Sequence, residues 1–371
     1  MNSKKASVGV IGTRGFPEIQ GGIETHCQEL YTLIGEMGEF NITIYRRTPY
    51  LNETNINRSF KNIRFVDIRV PRSKYFETFL HSFLATIHAI FQKYDLVHYH
   101  NTGPGFFMPL LKLSGTKIVF TYHNISYTQQ KWNRGARQFL SLSERICMKH
   151  SDFIIFISDV LKSEILQKYS LPKYKVIPNG VKIPEKSQDT DYIESLGLEK
   201  HSYILSVGRF LEEKGFDYLI KSYKKSGLEK YRLVIVGDTD YPTEYSDRLK
   251  SFARENNVLL TGFIKGEKLK QIYSFARLFV IASYSEGLPI TLLEALSYGL
   301  DILASDIPAN MQIGLNPEDY FKTGDEADLS SKMIEKITMN RNSDYMEYLK
   351  KKFNWKKISE ETSNIYKNLL E

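Results

Sequence analysis

The sequence is poor in cysteine. Its two, Cys27 and Cys147, cannot build a disulfide framework and show no metal-type spacing. A reducing compartment suits such a chain. Long apolar runs are missing too: no stretch reaches the roughly 18 apolar residues of a membrane span. The nearest approach, Phe79 to Phe91, is interrupted by His81, Ser82, Thr86 and His88. Its Phe79, Phe83, Ile87, Ile90 and Phe91 recur at helical spacing, which predicts a helix packed on a sheet, with a helix lying on a membrane surface as the alternative. Met1 to Ser7 is polar and lacks the apolar core of a secretory leader, so a cytoplasmic chain is expected. Zinc-finger spacing and RNA-binding aromatic motifs are absent, and no nucleic-acid partner is expected. There are no short tandem repeats or low-complexity tracts.

What is present is ordinary for a globular chain: 371 residues, 42% hydrophobic and 25% charged, enough for two domains. The net charge of +7 is uneven. Residues 1–180 hold 23 Lys and Arg against 13 Asp and Glu, while the remainder holds 27 against 30. A basic first half suits an anionic partner, such as an anionic membrane leaflet or a lipid diphosphate on it; a solvated basic face is the alternative.

Short strand-like runs alternate with helical stretches. In the first half they are Val8 to Gly12, Asn41 to Tyr45, Asn62 to Asp67, Asp95 to His100, Lys117 to His123, Phe153 to Ile157 and Lys175 to Pro178. A polar, unpatterned stretch from Lys182 to Asp189 marks a crossing. The pattern then restarts with Tyr203 to Gly208, Arg232 to Gly237, Val258 to Thr261, Leu278 to Ala282 and Asp301 to Ala304, and a helix closes the chain from Asn354 to Leu370. This predicts an α/β chain with two parallel sheets, each covered on both faces.

Gly9, Gly12 and Gly15 follow the first strand, but Val10 breaks the dinucleotide fingerprint and Arg46-Arg47 stands where the second strand ends, which disfavours a nicotinamide enzyme. Gly21-Gly22 opens a helix, where glycine lets backbone amides approach an anion. In the second half Arg209 and Lys214 flank a turn after a strand and could both reach one diphosphate. Ser285-Glu286-Gly287-Leu288-Pro289-Ile290 leads into a helix that carries Glu294. A helix start suits a diphosphate, and carboxylates suit sugar hydroxyls.

In order along nearly the whole chain, Gly21-Gly22-Ile23-Glu24, Phe120-Thr121-Tyr122-His123, Ile177-Pro178-Asn179-Gly180-Val181, Gly208-Arg209 with Lys214-Gly215, Val236-Gly237-Asp238, Ser285 to Pro289 with Glu294, and Ser305-Asp306-Ile307-Pro308 resemble glycosyltransferase family 4. The start, Gly12 to Pro17 running into Gly21-Gly22, resembles a bacterial surface-polysaccharide subgroup often labelled rhamnosyltransferase-like.

The resemblance implies the GT-B fold, two Rossmann-like doubly wound domains facing a cleft. The boundaries expected are 1–182 for an acceptor-side domain, 183–353 for a nucleotide-sugar domain and 354–371 for a helix returning to the first. It implies a retaining, metal-independent transferase that moves a sugar from a nucleoside diphosphate to a saccharide or lipid-diphosphate-linked acceptor, without a cofactor. UDP, GDP and dTDP stay open as the donor base. Carried over by position, Gly22 would touch the donor phosphate or sugar through its backbone, and His123 would sit beside the transferred sugar. Arg209 and Lys214 would stabilise the diphosphate. Glu286 would hold sugar hydroxyls and Glu294 the ribose hydroxyls, while Gly287, Leu288, Pro289 and Ile290 would line the diphosphate. The address implied is the cytoplasm, or the inner face of the plasma membrane.

Gly299-Leu300-Asp301-Ile302-Leu303 departs from the family's more usual Gly-x-Pro-Val, which touches a buried strand rather than the chemistry. His100 competes with His123 for the site role, since both end strands. Asp238-Thr239-Asp240 has a metal-binding look but is expected to be a solvated turn, as is Asp189-Thr190-Asp191. An epimerase-like enzyme of the same fold and a non-catalytic nucleotide-binding subunit are the competing readings.

Overall fold

The computed structural model describes the chain except residues 1–4, 74, 75, 126, 128–132, 172 and 340–343. Its elements run β1 (Ala6–Ile11), α1 (Gly22–Met37), β2 (Phe40–Arg47), β3 (Ile63–Ile68), α2 (Phe76–Gln92), β4 (Leu96–His100), α3 (Met108–Lys112), β5 (Lys117–Tyr122), α4 (Arg134–His150), β6 (Phe153–Phe156), α5 (Asp159–Leu166) and β7 (Tyr174–Val176). They continue with α6 (Asp191–Ser195), β8 (Tyr203–Val207), α7 (Phe216–Ser226), β9 (Arg232–Val236), α8 (Glu244–Glu255), β10 (Leu259–Gly262), α9 (Gly266–Ser274), β11 (Leu278–Ile281), α10 (Ile290–Ser297), β12 (Asp301–Ser305), α11 (Pro308–Met311), β13 (Tyr320–Phe321), α12 (Glu326–Thr338), α13 (Met346–Lys352) and α14 (Trp355–Leu370). The chain divides into two compact units: residues 1–180 with 355–371, and residues 181–354.

The first unit holds a parallel sheet in the order β3-β2-β1-β4-β5-β6-β7. Its central strands are short runs buried on both faces, as helices on each side require, although β4 and β5 carry His98, His100 and Thr121 inside. The helices start where the sequence supplies an acceptor: Asn133 takes the Ala136 amide and Ser158 takes the Leu161 amide. Helix α14 belongs to this unit. Its Trp355, Ile358, Ile365 and Tyr366 join Cys27, Leu30, Tyr31 and Ile34 of α1 in one core, and Ser363 and Lys367 both bond Glu39.

The second unit repeats the plan with the parallel order β10-β9-β8-β11-β12-β13. Its core runs through Ile204, Leu219, Leu233, Ile235, Val280, Leu303 and Leu329. Thr243 and Ser246 form a reciprocal capping box at the start of α8. The two-residue strand β13 has no counterpart in the sequence reading, because Tyr320-Phe321 is too short to show a period.

Helix α2 corrects one expectation. The apolar positions of Phe79 to Phe91 were expected to pack on the sheet. Instead the buried face is Glu77, His81, Ser82, Ala85, Thr86 and Ala89, while Phe76, Phe79, Phe83 and Phe91 are exposed. No helix among the described residues is long and apolar enough to cross a membrane.

The reversal of strand order between β1 and β4 brings the glycine-rich loop after β1 against β4. Gly12 has φ +116°, and a Cβ there would lie 1.9 Å from the carbonyl oxygen of His100. Gly12→Ala is therefore expected to cost at least about 3 kcal/mol through strain and clash, read as a lowered urea midpoint at unchanged slope.

Candidate active site

In doubly wound sheets ligands gather at the carboxyl ends of the strands, where the strand order reverses. In the second unit that place lies between β8 and β11. Arg209 follows β8, and its Nη1 pairs with Asp240 Oδ2 at 3.0 Å. Lys250 pairs with Asp238 Oδ1 at 2.7 Å. The Asp238-Thr239-Asp240 turn is thus held by cations on both carboxylates rather than merely solvated. Gly215, with φ +63°, lets the turn after Lys214 close onto β11; a Cβ there would lie 2.2 Å from the Ala282 carbonyl oxygen.

That approach brings Lys214 to the loop after β11. Its Nζ lies 2.5 Å from Glu286 Oε1, and Ser283 Oγ donates to the same oxygen at 2.6 Å. Two residues expected to serve the diphosphate and the sugar are therefore partners. Both are mostly buried, so the pair is more than a surface contact. Gly287 is half-buried, and its carbonyl accepts from Gln312 Nε2 at 3.2 Å. Leu288, Pro289 and Ile290 are buried, and Pro289 stands immediately before the first turn of α10. One turn further on, Glu294 accepts a hydrogen bond from the Tyr273 hydroxyl at 3.0 Å. The Tyr273 ring stacks on Tyr298 at 5.1 Å and 8°. Burial, then the neighbouring Glu294 charge, pushes the Tyr273 hydroxyl well up, so it remains a donor; the same causes push Tyr298 up to about 12. The sequence gives no signal for Tyr273, which reaches Glu294 only through the packing of α9.

In the first unit the glycine-rich loop leads into α1. Gly21 is the residue before the helix, with φ +146° and the Glu24 carboxylate folded against it. Glu24 Oε1 in turn accepts the Arg14 amide at 3.0 Å. A Cβ at Gly22 would meet nothing within 4 Å, so that helix start is open.

Behind the loop lies a group of four buried histidines, of which sequence reading singled out only two. His123 follows β5, and its Nε2 is 3.0 Å from His100 Nδ1 at the end of β4. His100 Nε2 meets the Tyr31 hydroxyl of α1 at 2.6 Å. That hydroxyl also reaches His98 Nδ1 at 2.9 Å, where Tyr366 of α14 arrives at 2.6 Å. Thr121 Oγ1 lies 2.7 Å from His98 Nε2. The fourth, His26 on α1, bonds Asn179 Oδ1 through Nδ1 at 2.9 Å. Neighbouring Gly180 is required for a different reason: a Cβ there would lie 2.5 Å from the Trp355 ring. The structure places His100 and His123 in direct contact.

A neutral imidazole has one donor and one acceptor nitrogen, so proton positions along this chain are coupled. Burial lowers the pKa of His26 to about 4, against a smaller upward pull from Asn179. His98, His100 and His123 are held well below the ordinary value, first by burial and then by the charge of neighbouring histidines, His26 among them in each case. All four are neutral near pH 7. Such a row can orient a ligand by hydrogen bonds, but cannot supply a positive charge.

Residues 20–183 match the family model described as Glycosyltransferase Family 4, and residues 188–353 match Glycosyl transferases group 1. The chain belongs to glycosyltransferase family 4. This glycosyltransferase is 27% identical over 392 residues to an uncharacterized glycosyltransferase of Methanocaldococcus jannaschii, covering 96% of each chain. It is 22% identical over 380 residues to O-antigen chain mannosyltransferase B of Escherichia coli, covering 91% of this chain and 97% of the other. Among solved structures, sucrose-phosphate synthase from Thermosynechococcus elongatus superposes with a TM-score of 0.84 at 20% identity, covering 98% and 99% of the two chains. Anabaena Alr3699/HepE in complex with UDP-glucose superposes with a TM-score of 0.76 at 15% identity, covering 98% and 100%. The glycosyltransferase thus has the GT-B fold.

The histidines set a pH dependence. A histidine whose folded pKa is lowered contributes stability that is complete above its unfolded value of about 6.5 and is lost as pH falls toward the folded one. Each such group lowers stability by up to about 1.4 kcal/mol per pH unit in that window. The urea midpoint is therefore expected to fall between pH 6.5 and 5, and to fall less steeply in His98→Gln. Parallel curves for the two proteins would count against this account.

Proposed function

We propose that this glycosyltransferase moves a sugar, with retention, from a nucleoside diphosphate sugar to a saccharide on a lipid diphosphate, in the synthesis of a bacterial surface polysaccharide. The observation that carries the donor side is the Lys214–Glu286 pair beside α10. When a diphosphate arrives, Lys214 and Arg209 exchange their carboxylate partners for phosphate oxygens. Arginine grips two oxygens and lysine adds a point charge. Glu286, released, accepts hydroxyls of the transferred sugar, while Gly287, Leu288, Pro289 and Ile290 line the diphosphate. Glu294 takes the ribose hydroxyls. Positive charge matters most as the diphosphate leaves, so the reaction needs neither a metal nor a cofactor. From the first unit, Gly22 offers its backbone to the donor, and neutral His123 orients the transferred sugar. The UDP-glucose complex of the structural neighbour supports a nucleotide-sugar donor; GDP and dTDP remain alternatives to UDP.

The lipid-linked acceptor rests on a separate observation. Phe76, Phe79, Phe83, Phe91, Leu110, Leu113 and Leu142 are all exposed on α2, α3, α4 and their flanks. Phe79 packs on Phe107 at 5.0 Å, and Phe106 on Phe139 at 4.9 Å, so the phenylalanines of α2 and those flanking α3 and α4 form one aromatic group. Residues 69–150 carry 11 Lys and Arg against three acids, of which Glu77 and Glu144 are buried. An exposed apolar face in a basic segment suits an anionic leaflet, which supports a peripheral position on the inner membrane face.

Two tests follow. Glu294→Ala should raise the nucleotide dissociation constant at least about tenfold, the loss of one charged hydrogen-bonding partner, while Lys214→Ala should mainly lower kcat; calorimetry with UDP, GDP and dTDP, followed by transfer assays, separates the two. Unaltered binding and turnover in both variants would overturn the donor site. In vesicle sedimentation the enzyme should bind phosphatidylglycerol-rich membranes in a salt-sensitive way, and Phe79→Ser with Phe83→Ser should release it. Equal partition of wild type and variant would remove the membrane face from the proposal.

A further inference from the structure

We propose that the first unit holds a binding site for a divalent transition-metal ion, of the zinc class, on His26, His100 and His123, and that occupancy inhibits transfer. One ring nitrogen from each lies within 4.8 Å of the others, and all three side chains are buried. His26 Nε2 is buried and has no hydrogen-bond partner among the described residues. A buried polar atom left without a partner calls for a ligand.

The surroundings are those of a ligand set rather than a chance encounter of rings. Metal-binding imidazoles are usually fixed through their second nitrogen by an oxygen acceptor. Here Asn179 Oδ1 takes His26 Nδ1, which leaves Nε2 with its lone pair for an ion. The Tyr31 hydroxyl lies 2.6 Å from His100 Nε2, which leaves Nδ1 of that ring facing His123 Nε2 at 3.0 Å. Those two facing nitrogens share one proton. An ion replaces it once the proton moves to the far nitrogen of its own ring, and no net charge is gained or lost by the protein. Bond lengths of about 2.0–2.1 Å put tetrahedral nitrogens about 3.4 Å apart, so each ring need shift by less than about 1 Å. Three neutral imidazoles leave a fourth position open and the ion's charge uncancelled, which a hydroxide or another small anion would complete. Imidazole donors favour zinc, copper or nickel over magnesium or calcium.

Inhibition follows because an ion on His123 Nε2 pins that ring and its tautomer and sets a positive charge beside the nitrogen left to orient the transferred sugar. That part rests on the proposed role of His123; metal binding does not. The two fail separately: binding without inhibition would overturn the role of His123 and leave the site standing.

The test uses metal-free, full-length enzyme and Co²⁺, then Zn²⁺. One equivalent of Co²⁺ should give the visible absorption of a tetrahedral nitrogen-ligated ion, and Zn²⁺ should bleach it. Asn179→Ala should weaken binding by about 10–100-fold, as loss of an orienting partner does, and His26→Gln should abolish the visible bands. Because a core substitution can disturb folding, wild-type enzyme provides a second readout. In long-range ¹H–¹⁵N spectra of the eight histidines, Zn²⁺ should shift three, and a titration that moved the exposed or half-exposed histidines instead would overturn the site. So would cobalt bands that survive His26→Gln.

Discussion

Parallel strands leave all their carboxyl ends on one edge of a sheet, and the candidate chemistry in both units depends on that constraint. The first sheet reverses between β1 and β4 and the second between β8 and β11. A reversal separates two neighbouring loops and opens room at the sheet edge. In the first unit that edge collects the Gly12–Gly22 loop, His100 and His123. In the second it collects Arg209, Lys214 and Glu286. Glycine is needed wherever backbone must cross this room closely: Gly12 lies against the His100 carbonyl, and Gly215 against that of Ala282.

The first sheet's edge is stiffened by a polar network instead of apolar packing. Buried polar groups cost free energy unless satisfied, and satisfied ones fix a unique arrangement. Strands β4 and β5 present His98, His100 and Thr121 beside one another because their register pairs His100 with Thr121. Tyr31 of α1 and Tyr366 of α14 close the network from outside the sheet. Residues separated by most of the chain thereby set the orientation of one imidazole, His123. The last helix is part of the site's support, although none of its residues is assigned to donor binding.

Strand positions, the two-domain division of the pattern and the candidate residues around Glu286 were legible in the sequence, because they rest on period-two apolar runs and on short local motifs. Pairings between motifs were not. Nothing local tells that Lys214 meets Glu286, that Asp240 holds Arg209, or that Tyr273 reaches Glu294. His26 offered a weak signal: it lies on the face of α1 that continues through Leu30 and Ile34, where a histidine must be buried. His98 offered another, two residues before His100 and so on the same face of β4. Periodicity misread α2 because it reports which face is apolar, not which face is inside.

The inverted α2 has a structural cause on one side only. Strand β2 ends in two buried arginines, Arg46 and Arg47. Asp67 serves Arg46 at 2.7 Å, and α2 must bring Glu77 inward to meet Arg47 at 3.0 Å. Once Glu77 faces in, helical spacing carries His81, Ser82, Ala85, Thr86 and Ala89 inward with it. The small Ser82, Ala85, Thr86 and Ala89 let the helix lie close, and Ser82 and Thr86 satisfy their hydroxyls on carbonyls one turn back. Folding thus accounts for the inner face apart from His81, whose two ring nitrogens are buried without a hydrogen-bond partner among the described residues. The outward phenylalanines are explained only in part: Phe79 and Phe83 pack on the buried Phe107 ring, yet each keeps more than a third of its surface exposed, and exposed aromatic surface loses the free energy that burial would return. A surface that folding does not fully require, and that solubility disfavours, is the kind a partner covers, and it is the ground of the membrane-face proposal.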